Sequence, residues 1–240
     1  MQKILLITGW GVGVKPLDHL AQSLDQQGLE VETIDIFDPL NSVELDKYAQ
    51  LAEHFDVLMG WSLGGQLATH LAQYLYESTG KAKTLITLAS NPCFIEKPNW
   101  SVGMPDSTFQ SFKQSFEKDA STTIKRFCYL VTQGGSNAKL DWEYLQSLVT
   151  HDNKQLKLTG LSLLENLSTV NILQDYQGHQ LHIFAEQDGL VPYKIIELFK
   201  KLPAIFLKLE TISGSHGFPI FMINETTRKI TQFLKDSKKT

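Results

Sequence analysis

A single serine stands where a strand-like segment gives way to a helix-like one. The segment GWSLGG places Ser62 between Gly60 and Gly64 in the pattern G-x-S-x-G. A strand that turns directly into a helix strains the central residue and leaves no room for side chains two positions away on either side. Such a turn presents the serine hydroxyl at the edge of a sheet and at the amino end of a helix, where partial positive charge collects. The pattern therefore predicts that Ser62 is a nucleophile.

A serine hydroxyl needs a base, and the base needs a carboxylate that orients it. After this kind of turn, the acid precedes the histidine along the chain. Asp188 follows the strand-like run LHIFAEQ and His216 follows FLKLETI, so both are predicted in loops at the carboxyl ends of strands, the edge that carries Ser62. Glu186 and Asp175 are the competing carboxylates, but Glu186 is placed at the end of the strand itself and Asp175 before it.

The oxyanion of an acyl-transfer reaction needs two hydrogen-bond donors. One is predicted to be the backbone N–H of Leu63, and the other comes from the loop TGWGVG after the first strand, where Trp10 is the preferred residue. The same loop starts a dinucleotide-binding pattern at Gly11 and Gly13, but Pro16 stands where the third glycine belongs. No metal and no organic cofactor are therefore expected.

The other histidines and the cysteines receive structural interpretations. His70 is predicted to pack or to face solvent on the helix after the serine, and His182 lies inside a predicted strand. Cys93 is predicted to be a small buried residue, and two cysteines do not make a disulfide framework or a zinc site. The histidines predicted to be solvated are His19, His54, His151 and His179.

Strand-like apolar runs alternate with helical patterns along most of the chain. This alternation indicates an α/β fold with a mostly parallel central sheet flanked by helices. It stops between residues 95 and 171, where long helical patterns take over at residues 108–134 and 142–167. The prediction is a core formed by residues 1–94 and 172–240, with residues 95–171 as a helical lid over the carboxyl ends of the strands. The first strands are predicted at residues 3–9, 30–37, 56–60 and 83–90, and the first helices at 17–28 and 65–78.

Composition narrows the class of protein. The chain has 240 residues, 42% hydrophobic and 20% charged, with a net charge of −4. That balance argues against general binding of nucleic acid, which needs a basic face. No apolar run approaches the roughly 18 residues of a membrane span. A cytoplasmic protein with reduced thiols, acting as a monomer, is expected.

Positive charge is concentrated in part of the predicted lid. Within residues 113–139, Glu117 and Asp119 are outnumbered by basic side chains, and a local excess of this kind steers an acidic partner. A solvated helix face is the alternative interpretation. Arg126 directly precedes Phe127, and its planar guanidinium could clamp a phosphate or a carboxylate. The basic residues of the segment are Lys113, Lys118, Lys125, Arg126 and Lys139.

Taken in chain order, the segments GWG, GWSLGG, ASNPCF, RF at 126–127, DGLVP and SHG resemble the pimeloyl-[acyl-carrier protein] methyl ester esterases of biotin synthesis, which have the α/β-hydrolase fold. The resemblance covers most of the chain, and GWSLGG followed by ASNPCF is its most specific part. It implies a triad of Ser62, Asp188 and His216. It also implies that Trp10 and Leu63 give the oxyanion donors.

The resemblance further implies a reaction and a partner. The reaction removes the methyl group that masks the pimeloyl carboxylate and releases methanol. Phe127 is implied to line the acyl channel, and basic residues of the lid are implied to meet the acidic carrier protein. The implied docking residues are Arg126, Lys125, Lys113 and Lys139.

Three features depart from the family pattern. Thr8 stands where the family usually has histidine, and Gly-Phe-Pro follows His216 where Ala-Pro-Phe is expected. The sequence opens directly on KILLITGWG, so the two leading strands common in the fold are expected to be absent. These departures bear on the substrate more than on the hydrolase chemistry. A short-chain carboxylesterase or a thioesterase on the same triad is one alternative, and a non-catalytic binding protein of this fold is another.

Overall fold

Six parallel strands form the centre of the fold. In the computed structural model, which describes residues 1–149 and 153–238, these strands are β1 (Gln2–Ile7), β2 (Leu29–Ile34), β3 (Val57–Trp61), β4 (Thr84–Leu88), β5 (Gln180–Ala185) and β6 (Leu207–Ile212). They lie side by side in the order β2-β1-β3-β4-β5-β6, and every neighbouring pair is parallel. The predicted α/β fold with a parallel sheet is confirmed.

Helices fill the connections between the strands. The first three are α1 (Asp18–Asp25), α2 (Ser42–Ala52) and α3 (Leu63–Thr79). Between β4 and β5 lie α4 (Asp106–Lys118), α5 (Ala120–Thr132), α6 (Ala138–Leu148), α7 (Lys154–Asn166) and α8 (Val170–Asp175), here called the insert helices. The last three are α9 (Ile196–Phe199), α10 (Phe218–Phe221) and α11 (Ile223–Asp236).

The order of the strands determines where a ligand can bind. The central strands β3 and β5 are buried along their whole length, whereas the edge strand β2 is only partly buried. The chain passes from β1 to β2 on one side and then to β3 on the other, so the connections diverge between β1 and β3. Open parallel sheets bind ligands at such a point, outside the carboxyl ends of the strands. Ser62 follows β3 at that edge.

The insert helices are shorter than the sequence pattern predicts. The helical pattern that runs through residues 108–134 breaks at Asp119, whose side chain accepts a hydrogen bond from the backbone N–H of Thr122 and thereby caps α5. The pattern at 142–167 is divided between α6 and α7, and residues 150–152 lie outside the described part of the chain. Helix α8 extends past residue 171, where the lid is predicted to end.

His182 of β5 is a core residue, as its position inside a predicted strand suggests. Its side chain is fully buried, its Nδ1 lies 2.6 Å from Thr87 Oγ1, and its ring centroid lies 4.7 Å from that of Phe199. Burial lowers the pKa of His182 from 6.5 to about 3, because a charged imidazole has no water around it in this position.

The depressed pKa of His182 should make the protein sensitive to acid. Between pH 6.5 and about 3 the unfolded chain binds a proton at this site that the folded chain does not. The free energy of unfolding should therefore fall as the pH drops, by up to about 1.4 kcal/mol per pH unit. Urea denaturation of the wild type and of His182→Asn across this range measures the difference. Parallel pH profiles for the two proteins would contradict the prediction.

Candidate active site

The turn at Ser62 has the strained geometry that the sequence pattern predicts. Ser62 joins β3 directly to α3 with φ 56° and ψ −122°, a conformation that non-glycine residues rarely adopt. A Cβ added to Gly60 would lie 2.0 Å from the backbone oxygen of Gly64, and one added to Gly64 would lie 2.2 Å from that of Ile7. The two glycines are therefore required by backbone contacts within the turn and with β1.

Two hydrogen bonds join the predicted nucleophile, base and acid. His216 Nε2 lies 2.9 Å from Ser62 Oγ, and His216 Nδ1 lies 2.8 Å from Asp188 Oδ2. The side chains of His216 and Asp188 are 0% and 1% exposed, so water hardly competes for either bond. A carboxylate accepts hydrogen bonds, so the tautomer that pairs with Asp188 has its proton on Nδ1 and leaves Nε2 to accept the serine hydroxyl. The geometry is therefore the one that a serine nucleophile with a histidine base requires.

Asp188 is also held by the loop in which it lies. Its second oxygen, Oδ1, accepts hydrogen bonds from the backbone N–H groups of Leu190 and Val191, both at 2.8 Å. The competing carboxylates are placed differently. Glu186 lies just past the end of β5, not within it, and is exposed, and Asp175 is exposed at the end of α8. The structure therefore brings Asp188, and neither competitor, to the histidine.

Trp61, the residue between the first glycine and the serine, holds the histidine loop. Its indole Nε1 donates to the backbone oxygen of His216 at 3.0 Å, and its ring is fully buried. On the other side of the loop, Gly217 N donates to the backbone oxygen of Val131 in α5 at 2.9 Å. The loop is thus fixed from the sheet and from an insert helix. Sequence reasoning missed the contact between Trp61 and His216, and its only signal in the sequence is a tryptophan beside the serine.

The loop after β1 packs directly against the serine. A Cβ added to Gly9 would lie 3.3 Å from Ser62 Cβ, and Thr8 Oγ1 donates to the backbone oxygen of Gly13 at 2.7 Å across the base of the loop. Leu63 directly follows the serine and Trp10 lines the same pocket as Ser62, and neither backbone N–H has a backbone partner among the described residues.

An apolar pocket opens onto Ser62. Among the described residues that line it, the serine is the only polar one, and insert helices supply much of the rest, including Phe127. An uncharged, flexible acyl chain is the kind of ligand that such a lining accepts. The lining residues are Trp10, Ser62, Phe94, Ile95, Met104, Phe109, Phe112, Phe127, Leu130, Leu164 and Leu190.

Asn91, in the segment ASNPCF, shapes the loop that supplies part of this pocket. Its Oδ1 accepts from Cys93 N at 3.1 Å and from Trp100 Nε1 at 2.8 Å, and its Nδ2 donates to Val102 O at 2.6 Å. Asn91 is 1% exposed, so all three bonds are shielded from water. They close the loop that carries three pocket residues: Phe94, Ile95 and Met104. Sequence reasoning singled out the segment but not this role.

The cysteines and the other described histidines are not bonded to Ser62 or to Asp188. Cys93 is buried as expected, and burial raises the pKa of the Cys128 thiol to about 12, which makes it a poor nucleophile. His70 is partly buried on α3, and His151 lies outside the described residues.

No group of three histidine, cysteine or acidic side chains among the described residues could hold a metal ion. Nor does any described helix combine the length and apolar character that crossing a membrane requires.

The predicted docking residues differ in how freely their charges are presented. Arg126, Lys125 and Lys139 are exposed on α5 and α6. Lys113 is different, because its ammonium lies 2.5 Å from Glu165 Oε2 in an ion pair between α4 and α7. The charge of Lys113 is therefore largely neutralised where it stands.

The parallel sheet, the turn at Ser62 and the hydrogen-bonded row of serine, histidine and aspartate define an α/β-hydrolase. Solved structures share this fold. An esterase from Exiguobacterium antarcticum superimposes with a TM-score of 0.83 at 14% identity, covering 98% of this chain and 92% of that one. A bromoperoxidase from Bacillus anthracis gives a TM-score of 0.81 at 19% identity, with the same coverages of 98% and 92%.

Sequence comparison narrows the class to a family. A pimeloyl-[acyl-carrier protein] methyl ester esterase from Vibrio cholerae serotype O1 is 32% identical over 206 residues, 81% of this chain and 79% of that protein. An esterase of the same name from Shewanella woodyi is 28% identical over 228 residues, 90% of this chain and 87% of that one. No family model matches the chain. The chain belongs to the pimeloyl-[acyl-carrier protein] methyl ester esterase family, as the resemblance predicts, and is a carboxylic ester hydrolase.

Proposed function

We propose that this protein hydrolyses the methyl ester of pimeloyl-acyl-carrier protein in biotin synthesis, releasing methanol and the free carboxylate. The observation that carries the proposal is the hydrogen-bonded row Asp188–His216–Ser62 opening into an apolar pocket. The relatives from V. cholerae and S. woodyi bear the name of this activity and support the choice of substrate. Action as a cytoplasmic monomer, without metal or cofactor, belongs to the same proposal.

The geometry supports a two-step mechanism. Ser62 attacks the ester carbonyl carbon while His216 Nε2 accepts its proton, and the backbone N–H groups of Trp10 and Leu63 stabilise the oxyanion by roughly 3 kcal/mol each. His216 then donates the proton to the departing methoxide, and methanol leaves. Water activated by His216 attacks the acyl-enzyme and restores Ser62. Asp188 keeps Nδ1 protonated and stabilises the imidazolium that forms in each step.

The pocket supports a neutral ester at the end of a methylene chain. The described residues of its lining offer a methylene chain apolar contacts and no charged side chain.

The exposed basic residues support docking of an acidic carrier protein beside the pocket. Arg126 is exposed on α5, and the next residue, Phe127, and Leu130 one turn later line the pocket. Lys125 and Lys139 add exposed positive charge to the same part of the insert. A carrier that delivers an acyl chain into the pocket would bring its acidic surface against these residues.

Reversing the charge at Arg126 should weaken binding of the carrier selectively. Arg126→Glu is expected to raise KM for the carrier-bound methyl ester about tenfold at low salt, and less at high salt, because the attraction is screened. Hydrolysis of a free p-nitrophenyl ester should be unchanged. Lys81→Glu is the matched control, since Lys81 is exposed between α3 and β4, at the opposite end of the strands. An equal effect of both reversals would contradict docking at Arg126.

The substrate is tested by direct competition. Methyl pimeloyl-carrier protein, the matching free dimethyl ester, an acyl thioester and p-nitrophenyl butyrate are compared by kcat/KM. The carrier-bound methyl ester should have the highest value. A higher value for the thioester or for the p-nitrophenyl ester would replace the proposal with a thioesterase or a general carboxylesterase on the same triad.

A further inference from the structure

The side chain of Trp10 reaches away from the serine and into the insert. Its indole Nε1 donates a hydrogen bond to the backbone oxygen of Lys157 in α7 at 2.7 Å. The backbone N–H of the same residue is the oxyanion donor of the proposed mechanism. One residue therefore joins the proposed reaction centre to an insert helix that lies far away in the sequence.

Helix α7 is shaped to receive this indole ring. A Cβ added to Gly160 would lie 2.5 Å from Trp10 Cδ1 and 2.7 Å from Ile36 Cδ1. Glycine within a helix costs about 1 kcal/mol relative to alanine. The close approach gives a reason for glycine at this position, because no other residue leaves room for the ring.

Two more insert helices close around the same loop. The Trp10 ring packs edge-on against Phe127 of α5 at a centroid distance of 4.9 Å, and against Phe112 and Phe116 of α4 at 5.4 and 5.5 Å. A Cβ added to Gly11 would lie 3.1 Å from Ile124 Cδ1, also in α5. Trp10 itself is 1% exposed. The loop after β1 is thus enclosed between the Ser62 turn and the insert.

We propose that the seating of α5 and α7 on the Trp10 indole sets the position of the Trp10 backbone amide, so that the oxyanion site is complete only when the insert is in place. In this role the indole is a positioning group and the amide is the catalytic one. The inference rests on the proposed function, because it requires ester hydrolysis through an oxyanion beside Ser62. Substrate entry is constrained in the same way. If the insert moves away from the loop after β1 to admit an acyl chain, it must return before the chain is hydrolysed.

The test compares two tryptophans that each donate an indole N–H to a backbone carbonyl. Trp10→Phe removes the bond to Lys157 and keeps a ring in the cluster. Trp142→Phe is the matched control, because its Nε1 donates to the Lys125 backbone oxygen at 3.1 Å, wholly within the insert. Trp10→Phe should lower kcat for p-nitrophenyl butyrate roughly tenfold, less than the loss of a whole oxyanion donor. Because Trp10 also lines the pocket, KM can shift with the lost ring contact, but kcat should fall by the larger factor, and Trp142→Phe should stay within about twofold of wild type.

Inhibitor binding separates positioning of the amide from a general loss of structure. A trifluoromethyl ketone forms a tetrahedral adduct with an oxyanion, whereas an unreactive amide of the same shape does not. Trp10→Phe should weaken binding of the ketone by about the same factor as kcat and weaken binding of the amide much less, by no more than the lost contact of the ring with the pocket. An unchanged kcat, equal weakening of both inhibitors, or an equal effect of Trp142→Phe would overturn the inference.

Gly160→Ala provides a second variant should Trp10→Phe fail to fold. The added methyl should displace the ring and lower kcat in the same selective way, even though alanine favours the helix. A Gly160→Ala protein with wild-type kcat would also overturn the inference. Ser62→Ala, measured alongside, distinguishes failure of this inference from failure of the proposed function. Hydrolysis that survives in Ser62→Ala would refute the proposed function itself, whatever the Trp10 variants show.

Discussion

Replacing Ser62 with alanine should lower kcat/KM for every ester substrate by at least about 10⁴-fold while leaving the protein folded. The serine oxygen is the atom that forms the acyl-enzyme, and His216 cannot substitute for it at the same position. The hydroxyl contributes little to the fold, since His216 is the one side chain in the described part of the protein that is seen to bond it. Initial rates of methyl ester and p-nitrophenyl ester hydrolysis measure the loss, and thermal unfolding checks the fold.

Two controls make this result specific. Ser101→Ala removes an exposed serine in the loop before α4 and should have no effect on either measurement. A fluorophosphonate probe should label the wild type and not the Ser62→Ala protein. Labelling of both proteins to the same extent would place the nucleophile elsewhere, and no labelling of the wild type would favour the non-catalytic alternative.

Gly64→Ala should prevent stable folding rather than merely lower activity. The added methyl would lie 2.2 Å from the Ile7 backbone oxygen and 2.4 Å from that of Thr8. Both oxygens belong to the chain of β1 and its loop, so neither can move without disturbing the centre of the sheet. We expect a loss of more than about 4 kcal/mol in the free energy of unfolding, or insoluble protein. Urea denaturation and soluble yield measure the outcome.

Gly80→Ala is the matched glycine control for this prediction. Gly80 ends α3 with φ 70°, and nothing lies within 4 Å of an added Cβ. Its substitution should therefore cost only the backbone strain of a left-handed residue, about 1–2 kcal/mol. If Gly64→Ala were no less stable than Gly80→Ala, the close contact between the turn and β1 would be wrong.

Local patterns explain which parts of the fold are readable from the sequence. The buried strands β3 and β4 were predicted within one or two residues because continuous apolar runs between glycine-rich turns admit few other structures. Helix α2 was missed. Its fully buried residues are the small Ala49 and Ala52, whereas Leu45, Tyr48 and Leu51 are buried only in part against the core, so its apolar stripe is weak. The signal that could have found it is Asn41, whose side chain accepts from the backbone N–H groups of Val43 and Glu44.

The candidate site likewise contains residues that the sequence identifies and contacts that it does not. Ser62, Asp188 and His216 could be named because each follows a strand and the chemistry requires these residue types in a known order. The contact of Trp61 with the histidine loop spans 155 positions and uses a backbone oxygen, so no sequence pattern marks it. The bond from Trp10 to Lys157 spans 147 positions and is equally invisible. Such contacts depend on how the insert folds back over the sheet.

The strand order described above has a consequence for the chain during synthesis. The four strands β1 to β4 are neighbours in the sheet and all lie within the first 88 residues, so they can pair before the rest of the chain leaves the ribosome. The nucleophile belongs to this early half. Its acid and base come after β5 and β6, beyond the whole insert. A nascent chain that ends before them therefore carries a harmless alcohol, and reactivity toward cellular esters is acquired only once both loops have been made.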